Sequence, residues 1–191
     1  MVIQVLSSSN NMRARTLIYA LFLFVGSCAT RADNPITPFL QSKQAAVFIF
    51  LSPDCPLSQN YTLTLNNLRK EFLPSGIEFY GVFSGDGVSK ASMDDFVAAF
   101  RVSFPVMLDS ESKIADFFGA TKTPEAFLTD AKGQTIYKGA IDNYAPELGQ
   151  HRTVITEQYL LDALNSVREH KPIKVIQTQA VGCFIERKNQ G

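Results

Sequence analysis

The stretch Ala45–Leu51, AAVFIFL, is the feature that most limits what this chain can fold into. Its residues are apolar without a break, so a strand formed here has no polar face and must be buried on both sides. A stripe at helical spacing follows, with Tyr61, Leu65, Leu68 and Phe72 on one side of Ser58–Phe72. Ile77–Phe83 repeats the strand signal, and Ser92–Phe100 repeats the helix signal with Met93, Phe96, Val97 and Phe100 facing inward. The order strand–helix–strand–helix implies parallel strands, because each helix carries the chain back to the end of the sheet where the next strand starts.

A short strand is expected at Phe104–Leu108 and a helix from about Ser110 to Phe118, capped by Ser110 or Ser112 and stopped by Gly119. Glu125–Thr129 and Thr135–Ala140 flank Asp130-Ala131-Lys132-Gly133, a hairpin turn signal. A last helix spans about Thr156–His170, with Leu160, Ala163, Leu164 and Val167 as its buried stripe and Pro172 ending it. The fold class is therefore α/β. The folded domain is expected to begin near Gln41 and to cover 41–191, with 29–40 as a tether and 172–191 as a C-terminal extension.

Ahead of that domain lies Leu17–Val25, an apolar run behind Arg13 and Arg15. A spanning helix needs roughly 20 apolar residues, and this run is too short for one, so residues 1–28 read as an export signal. The run closes on Val25-Gly26-Ser27-Cys28, which resembles a bacterial lipobox, with Cys28 as the lipidated residue that anchors the chain to the membrane. Cleavage after Ala29, with Ser27 and Ala29 as the small residues of an ordinary signal-peptidase site, is the alternative. Both place the mature chain in the cell envelope or periplasm. Met12 stands directly before the basic residues and is an alternative start.

With 18 basic residues against 18 acidic and no Lys/Arg run, the chain has no patch that would release counterions from a phosphate backbone, which argues against a nucleic-acid partner. Three cysteines are too few for a disulfide framework. No cofactor motif appears: HExxH and GxSxG are absent, and Ser84-Gly85-Asp86-Gly87 lacks the lysine of a P-loop.

The chemistry concentrates at Cys55, in Ser52-Pro53-Asp54-Cys55-Pro56-Leu57-Ser58 between the first strand and the first helix. Backbone N–H groups and the positive dipole end at a helix start stabilise a thiolate, which makes a cysteine there acidic and reactive. Asp54 works in the other direction. A buried structural cysteine is the bland alternative, and a turn bordered by Pro and Ser is an unusual place for one.

A strand, a cysteine at a helix start, further βα units, a Thr-Pro before a hairpin and a final helix together resemble the thioredoxin-like fold over Gln41–His170. The resemblance implies a central mixed sheet flanked by helices. It also implies a cis peptide at Thr123-Pro124, where Pro124 packs against the active cysteine and Thr123 presents backbone groups to an extended substrate, with Pro56 beside them. Two departures stand out. Thioredoxin-like oxidoreductases carry Cys-x-x-Cys, whereas this chain has Cys55-Pro56-Leu57-Ser58, so Ser58 is expected to cap the helix or to hydrogen-bond the Cys55 thiolate. The first strand also lacks the acidic residue that many thioredoxins bury, so a proton acceptor must come from elsewhere.

Removal or acylation of Cys28 leaves Cys55 and Cys183 as the remaining thiols, which makes Cys183 the candidate partner. SPDCPLSQNY, YKGAIDNY and AVGCFIER together resemble bacterial exported redoxin-domain proteins of the AhpC/TSA type. That resemblance implies Cys55 as nucleophile and Cys183 as resolver, while a merely packed or free Cys183 stays open. Thiol–disulfide exchange with a protein partner is the first functional reading. Peroxide reduction is the second, but its Pro-x-x-x-Thr/Ser-x-x-Cys motif is half matched, with Ser52 in place and Phe48 where proline belongs, and nothing in the spacing selects Arg101 or Arg152 to steady a peroxide. A non-catalytic or copper-handling module is the third. It lacks a second nearby cysteine, and His151 and His170 lie late in the chain, so no metal ligand set is assigned.

Overall fold

The computed structural model describes residues 34–187. The expected export signal, Cys28 and the first residues of the expected tether lie outside them. Among the described residues no helix is long and apolar enough to cross a membrane.

The elements run β1 (Ala45–Leu51), α1 (Pro56–Phe72), β2 (Ile77–Ser84), α2 (Lys90–Phe100), β3 (Val106–Asp109), α3 (Lys113–Phe118), β4 (Lys122–Thr123), β5 (Glu125–Asp130), β6 (Thr135–Gly139), α4 (Tyr159–Arg168) and β7 (Cys183–Phe184). The main sheet has the order β3-β2-β1-β5-β6, with β1 at its centre. β2 and β3 extend it in parallel, and β5 and β6 antiparallel. This is the thioredoxin-like arrangement.

Every residue of β1 is buried, as its composition requires. Because side chains alternate along a strand, Val47, Ile49 and Leu51 enter one core with Tyr61, Leu65 and Phe72 of α1 and Leu160 and Leu164 of α4. Ala46, Phe48 and Phe50 enter the other, with Ile114, Ala115 and Phe118 of α3. That second core reaches beyond the expected boundary at Gln41: Ile36 and Leu40 are buried in it from the N-terminal side, and Ile185 from the C-terminal side.

Several ends differ from expectation, each for a local reason. α2 starts earlier because Ser89 and Ser92 form a capping box. Pro105 has no N–H for a ladder, so β3 starts at Val106, while the Pro105 carbonyl accepts from Gly81 N–H at 2.9 Å. Ser112, one of the two expected residues, takes the N-cap position of α3, but the side chain that caps the helix is neither Ser110 nor Ser112. Ser112 has φ +56° and makes no cap bond; the Asp109 carboxylate instead accepts from the N–H groups of Ile114 (3.1 Å) and Ala115 (2.9 Å). α4 begins at Tyr159 because Thr156 is tied to the loop after β6, its N–H donating to Asn143 Oδ1 at 3.1 Å. The C-terminal extension supplies an element that no local signal announced, the short strand β7, which pairs antiparallel with β4.

Candidate active site

Cys55 is the N-cap of α1 in extended backbone, at the C-terminal end of the central strand. Ser52 to Cys55 closes a turn, with Cys55 N–H donating to Ser52 O at 3.2 Å, and Pro56 takes the first helical position, where a missing N–H costs nothing. The loop at the end of a central strand is where α/β sheets open a crevice for ligands. Here the crevice is closed over: Cys55 is 0% exposed.

Three segments meet its sulfur. From β4, the Thr123 carbonyl accepts the Cys55 thiol proton at 3.0 Å, and the Thr123-Pro124 peptide that follows is cis. From α1, Ser58 is fully buried; its Oγ accepts from Ser52 N–H at 3.2 Å while its N–H and hydroxyl face Cys55. From β7, Cys183 stands opposite Thr123, half-buried, with its thiol against the Cys55 sulfur. Both thiols are free. Thus Cys55, Ser58, Thr123, Pro124 and Cys183 converge, and exposed Pro56 borders them.

The electrostatics divide the two thiols. Burial pushes Cys55 up, but the Cys183 thiol, the N–H groups of Ser58 and Cys183 and the Ser58 hydroxyl outweigh it, so the net shift is downward. Burial, then the hydrogen bond and the charge of Cys55, push Cys183 up to about 11. One proton therefore stays on Cys183 while Cys55 becomes the thiolate. The bond to the Thr123 carbonyl belongs to the protonated state of Cys55, in which Cys55 makes no side-chain cap bond; on ionisation the donors from Ser58 and Cys183 take over.

A buried acid near the site was not foreseen. The Asp142 carboxylate accepts from Tyr61 Oη at 2.5 Å and from Tyr144 N–H at 2.8 Å, and it shares a small void with Pro124 and Val181. Burial and the Asp142 carboxylate drive the Tyr61 hydroxyl far above its ordinary range, so it holds its proton. Beside them lies a cavity of about 330 Å³ lined by Asn60, Tyr61, Asp142 and Tyr144. His151 stacks on Tyr144 at 5.7 Å, and His170 reaches only Gln44. Among the described residues no three His, Cys, Asp or Glu side chains form a metal-binding cluster. Gly182 is the glycine that lets the tail approach another surface closely, here the Thr123 carbonyl. Its signal was present in Val181-Gly182-Cys183, a glycine beside a candidate thiol, but what it approaches depends on the fold.

A family model described as the AhpC/TSA family matches residues 31–138. Among characterised proteins, the thiol-disulfide oxidoreductase ResA of Bacillus subtilis is 30% identical over 70 residues, which are 37% of this chain and 38% of ResA. The matched stretch is therefore well under two thirds of that relative. A solved structure of a hypothetical protein from Sinorhizobium meliloti superposes with a TM-score of 0.70 at 23% identity, covering 80% of this chain and 84% of the other. An uncharacterized conserved protein from Geobacillus kaustophilus gives 0.69 at 24% identity, covering 80% and 82%. At these identities the likeness shows a shared fold.

Proposed function

Since the chain belongs to the AhpC/TSA family, we propose that it is a thiol–disulfide oxidoreductase in which Cys55 attacks and Cys183 resolves. The observation that carries this reading is the placement of the pair: two free thiols, one donating to the Thr123 carbonyl at 3.0 Å and the other opposite the same Thr123 on β7, with Cys55 shifted down and Cys183 up. The Cys55 thiolate attacks one sulfur of a partner disulfide, forms a mixed disulfide and releases the partner's other sulfur as a thiolate, which takes up a proton. Cys183, losing its proton, then attacks the Cys55 sulfur, and the partner's second sulfur leaves. The partner gains two electrons and becomes a dithiol, while the protein becomes the Cys55–Cys183 disulfide. A dithiol donor reverses that oxidation, and an oxidised form meeting a partner dithiol runs the same steps backwards.

Peroxide reduction has weaker support. No arginine is among the groups that shift Cys55, and Phe48, where a peroxiredoxin carries proline, is wholly inside the second core. Export belongs to the same proposal: residues 1–28 deliver the chain to the cell envelope, with Cys28 as the lipid anchor, where disulfide exchange with secreted proteins has substrates.

The test is mass mapping of protein oxidised by a disulfide reagent, followed by disulfide-reductase assays with dithiothreitol as donor and peroxide-consumption assays in parallel. A Cys55–Cys183 linkage, reductase turnover in wild type and its loss in Cys55→Ser support the proposal. Free thiols after oxidation, or turnover of peroxide alone, overturn it.

A further inference from the structure

The strand that covers Cys55 belongs to the chain itself. β7 lies antiparallel on β4 with Cys183 opposite Thr123 and Phe184 opposite Lys122, and Ile185 N–H continues the ladder to Thr121 O at 3.0 Å. A free strand edge offers its N–H and C=O groups to any extended chain that can reach it. Here that edge is already taken, and the thiol at its centre is fully enclosed.

The covering segment is held unevenly. Upstream, Thr178 is locked onto β6: its hydroxyl meets Ala140 N–H at 2.9 Å and Tyr137 Oη at 2.8 Å, and its N–H donates to Lys138 O at 3.0 Å. Among the described residues no backbone hydrogen bond ties Gln179, Ala180 or Val181 to the body. Beyond them the chain is held again, by the two-residue strand, by Ile185 in the second core, by Glu186 O accepting from Asp86 N–H at 2.8 Å, and by Arg187 against Asp116 and the Ala120 carbonyl. Phe184 stays 70% exposed beneath the Lys122 ammonium. One residue sets the closeness of the fit. A Cβ on Gly182 would stand 2.1 Å from Thr123 O, so any side chain there pushes the strand away from β4.

We infer that residues 182–187 form a self-substrate strap: they occupy the place of an extended, cysteine-bearing segment of a partner protein, which reaches Cys55 only by displacing them. The partner's identity rests on the thiol-exchange reading; the strap itself does not. The strap's own sequence describes what fits: a residue without a side chain, a cysteine opposite Thr123, a group that lies against the Lys122 ammonium, and an aliphatic side chain for the site of Ile185. Gln179–Val181 acts as the hinge. Because Thr178 stays fixed, Cys183 remains close while displaced and returns as an intramolecular resolver, at a high effective concentration.

The test uses the full reduced chain and the rate at which iodoacetamide modifies Cys55, resolved by mass. At the high-pH plateau, where Cys55 is fully ionised and the rate reads access alone, Gly182→Ala is expected to react at least tenfold faster than wild type. A synthetic peptide of residues 179–187 carrying Cys183→Ser, added in trans, is expected to slow that variant towards the wild-type rate, whereas the same peptide with Gly182→Ala is not. Arg187→Ala, which removes an outer contact from a surface position, moves the rate in the same direction and serves if Gly182→Ala loses its thermal transition. Equal rates in wild type and both variants, or no protection by the glycine-bearing peptide, overturn the strap. Absence of a Cys55–Cys183 disulfide and of reductase turnover, with the alkylation differences intact, overturns only the thiol-exchange reading.

Discussion

Thr123 and Cys183, 60 residues apart in sequence, face each other across an antiparallel pair, with the Thr123 hydroxyl donating to the Cys183 carbonyl at 3.5 Å. The carbonyl of the same Thr123 accepts the Cys55 thiol proton. One residue before the cis peptide thus touches both cysteine-bearing segments and holds the two thiols in one place.

Cys55 is shifted down and Cys183 up to about 11, so between those two points Cys55 is the thiolate and Cys183 the donor. The reactivity of Cys55 therefore rises with pH through a midpoint below that of an ordinary free thiol. Cys183→Ala removes the thiol hydrogen bond, the largest of the lowering effects, so the midpoint moves upward. Alkylation rates of Cys55 across a pH series, each profile normalised to its own plateau, check this; an unmoved midpoint contradicts it.

Ser58 stands where a second active cysteine is absent, and it is fully buried. Ser58→Ala leaves the Ser52 N–H without its acceptor, which costs about 1–2 kcal/mol of stability, and it withdraws a hydroxyl from the Cys55 sulfur. Urea unfolding should show the first effect, and an upward shift of the Cys55 midpoint the second. A purely structural serine would change stability and leave the midpoint in place.

At Gly139 the backbone has φ +130°, and an added Cβ would lie 2.2 Å from Thr178 O. Gly139→Ala combines an unfavourable backbone with a clash at the point where the extension is fixed, and is expected to cost about 2–3 kcal/mol. Thermal melts should fall by about 2–4 °C for each kcal/mol lost.

Glu78 governs acid stability. Burial pushes its carboxyl up, but Arg69 at 2.8 Å, the Phe79 N–H at 2.9 Å and Lys43 at 3.9 Å outweigh it and hold it below the usual carboxylate range. A folded value below the unfolded ~4.3 gives stability that is present above that pH and lost as pH falls through the folded value. Glu78→Gln is expected to be less stable than wild type by about 2 kcal/mol at neutral pH, with a smaller gap at an acidic pH below the ordinary carboxylate range. Unfolding midpoints at both pH values test it; a constant gap rejects it.

Much of the scaffold was legible from side-chain periodicity. The apolar run of β1 required burial on both faces, and the helical stripe of α1 required a partner sheet; Tyr61, Leu65 and Phe72 lie in the core that these demands imply. Element ends were less legible, because competing caps differ by little energy. Ser112 stands at the N-cap of α3, but the Asp109 carboxylate does the capping, since Asp109 ends a strand that aims it at two helical N–H groups.

At the site, the local part was present in the chain order: a cysteine placed between a buried strand and a helix start becomes an N-cap wherever that strand ends. The tertiary structure alone decided the rest. Gly182 against the Thr123 carbonyl, Cys183 against Cys55 and Asp142 against Tyr61 join segments far apart along the chain. Hydrophobic periodicity records which face of an element is buried. It carries no information about which distant backbone edge that face will meet, because a strand edge exposes the same N–H and C=O groups whatever its side chains, and its partner is chosen by where the whole fold delivers it.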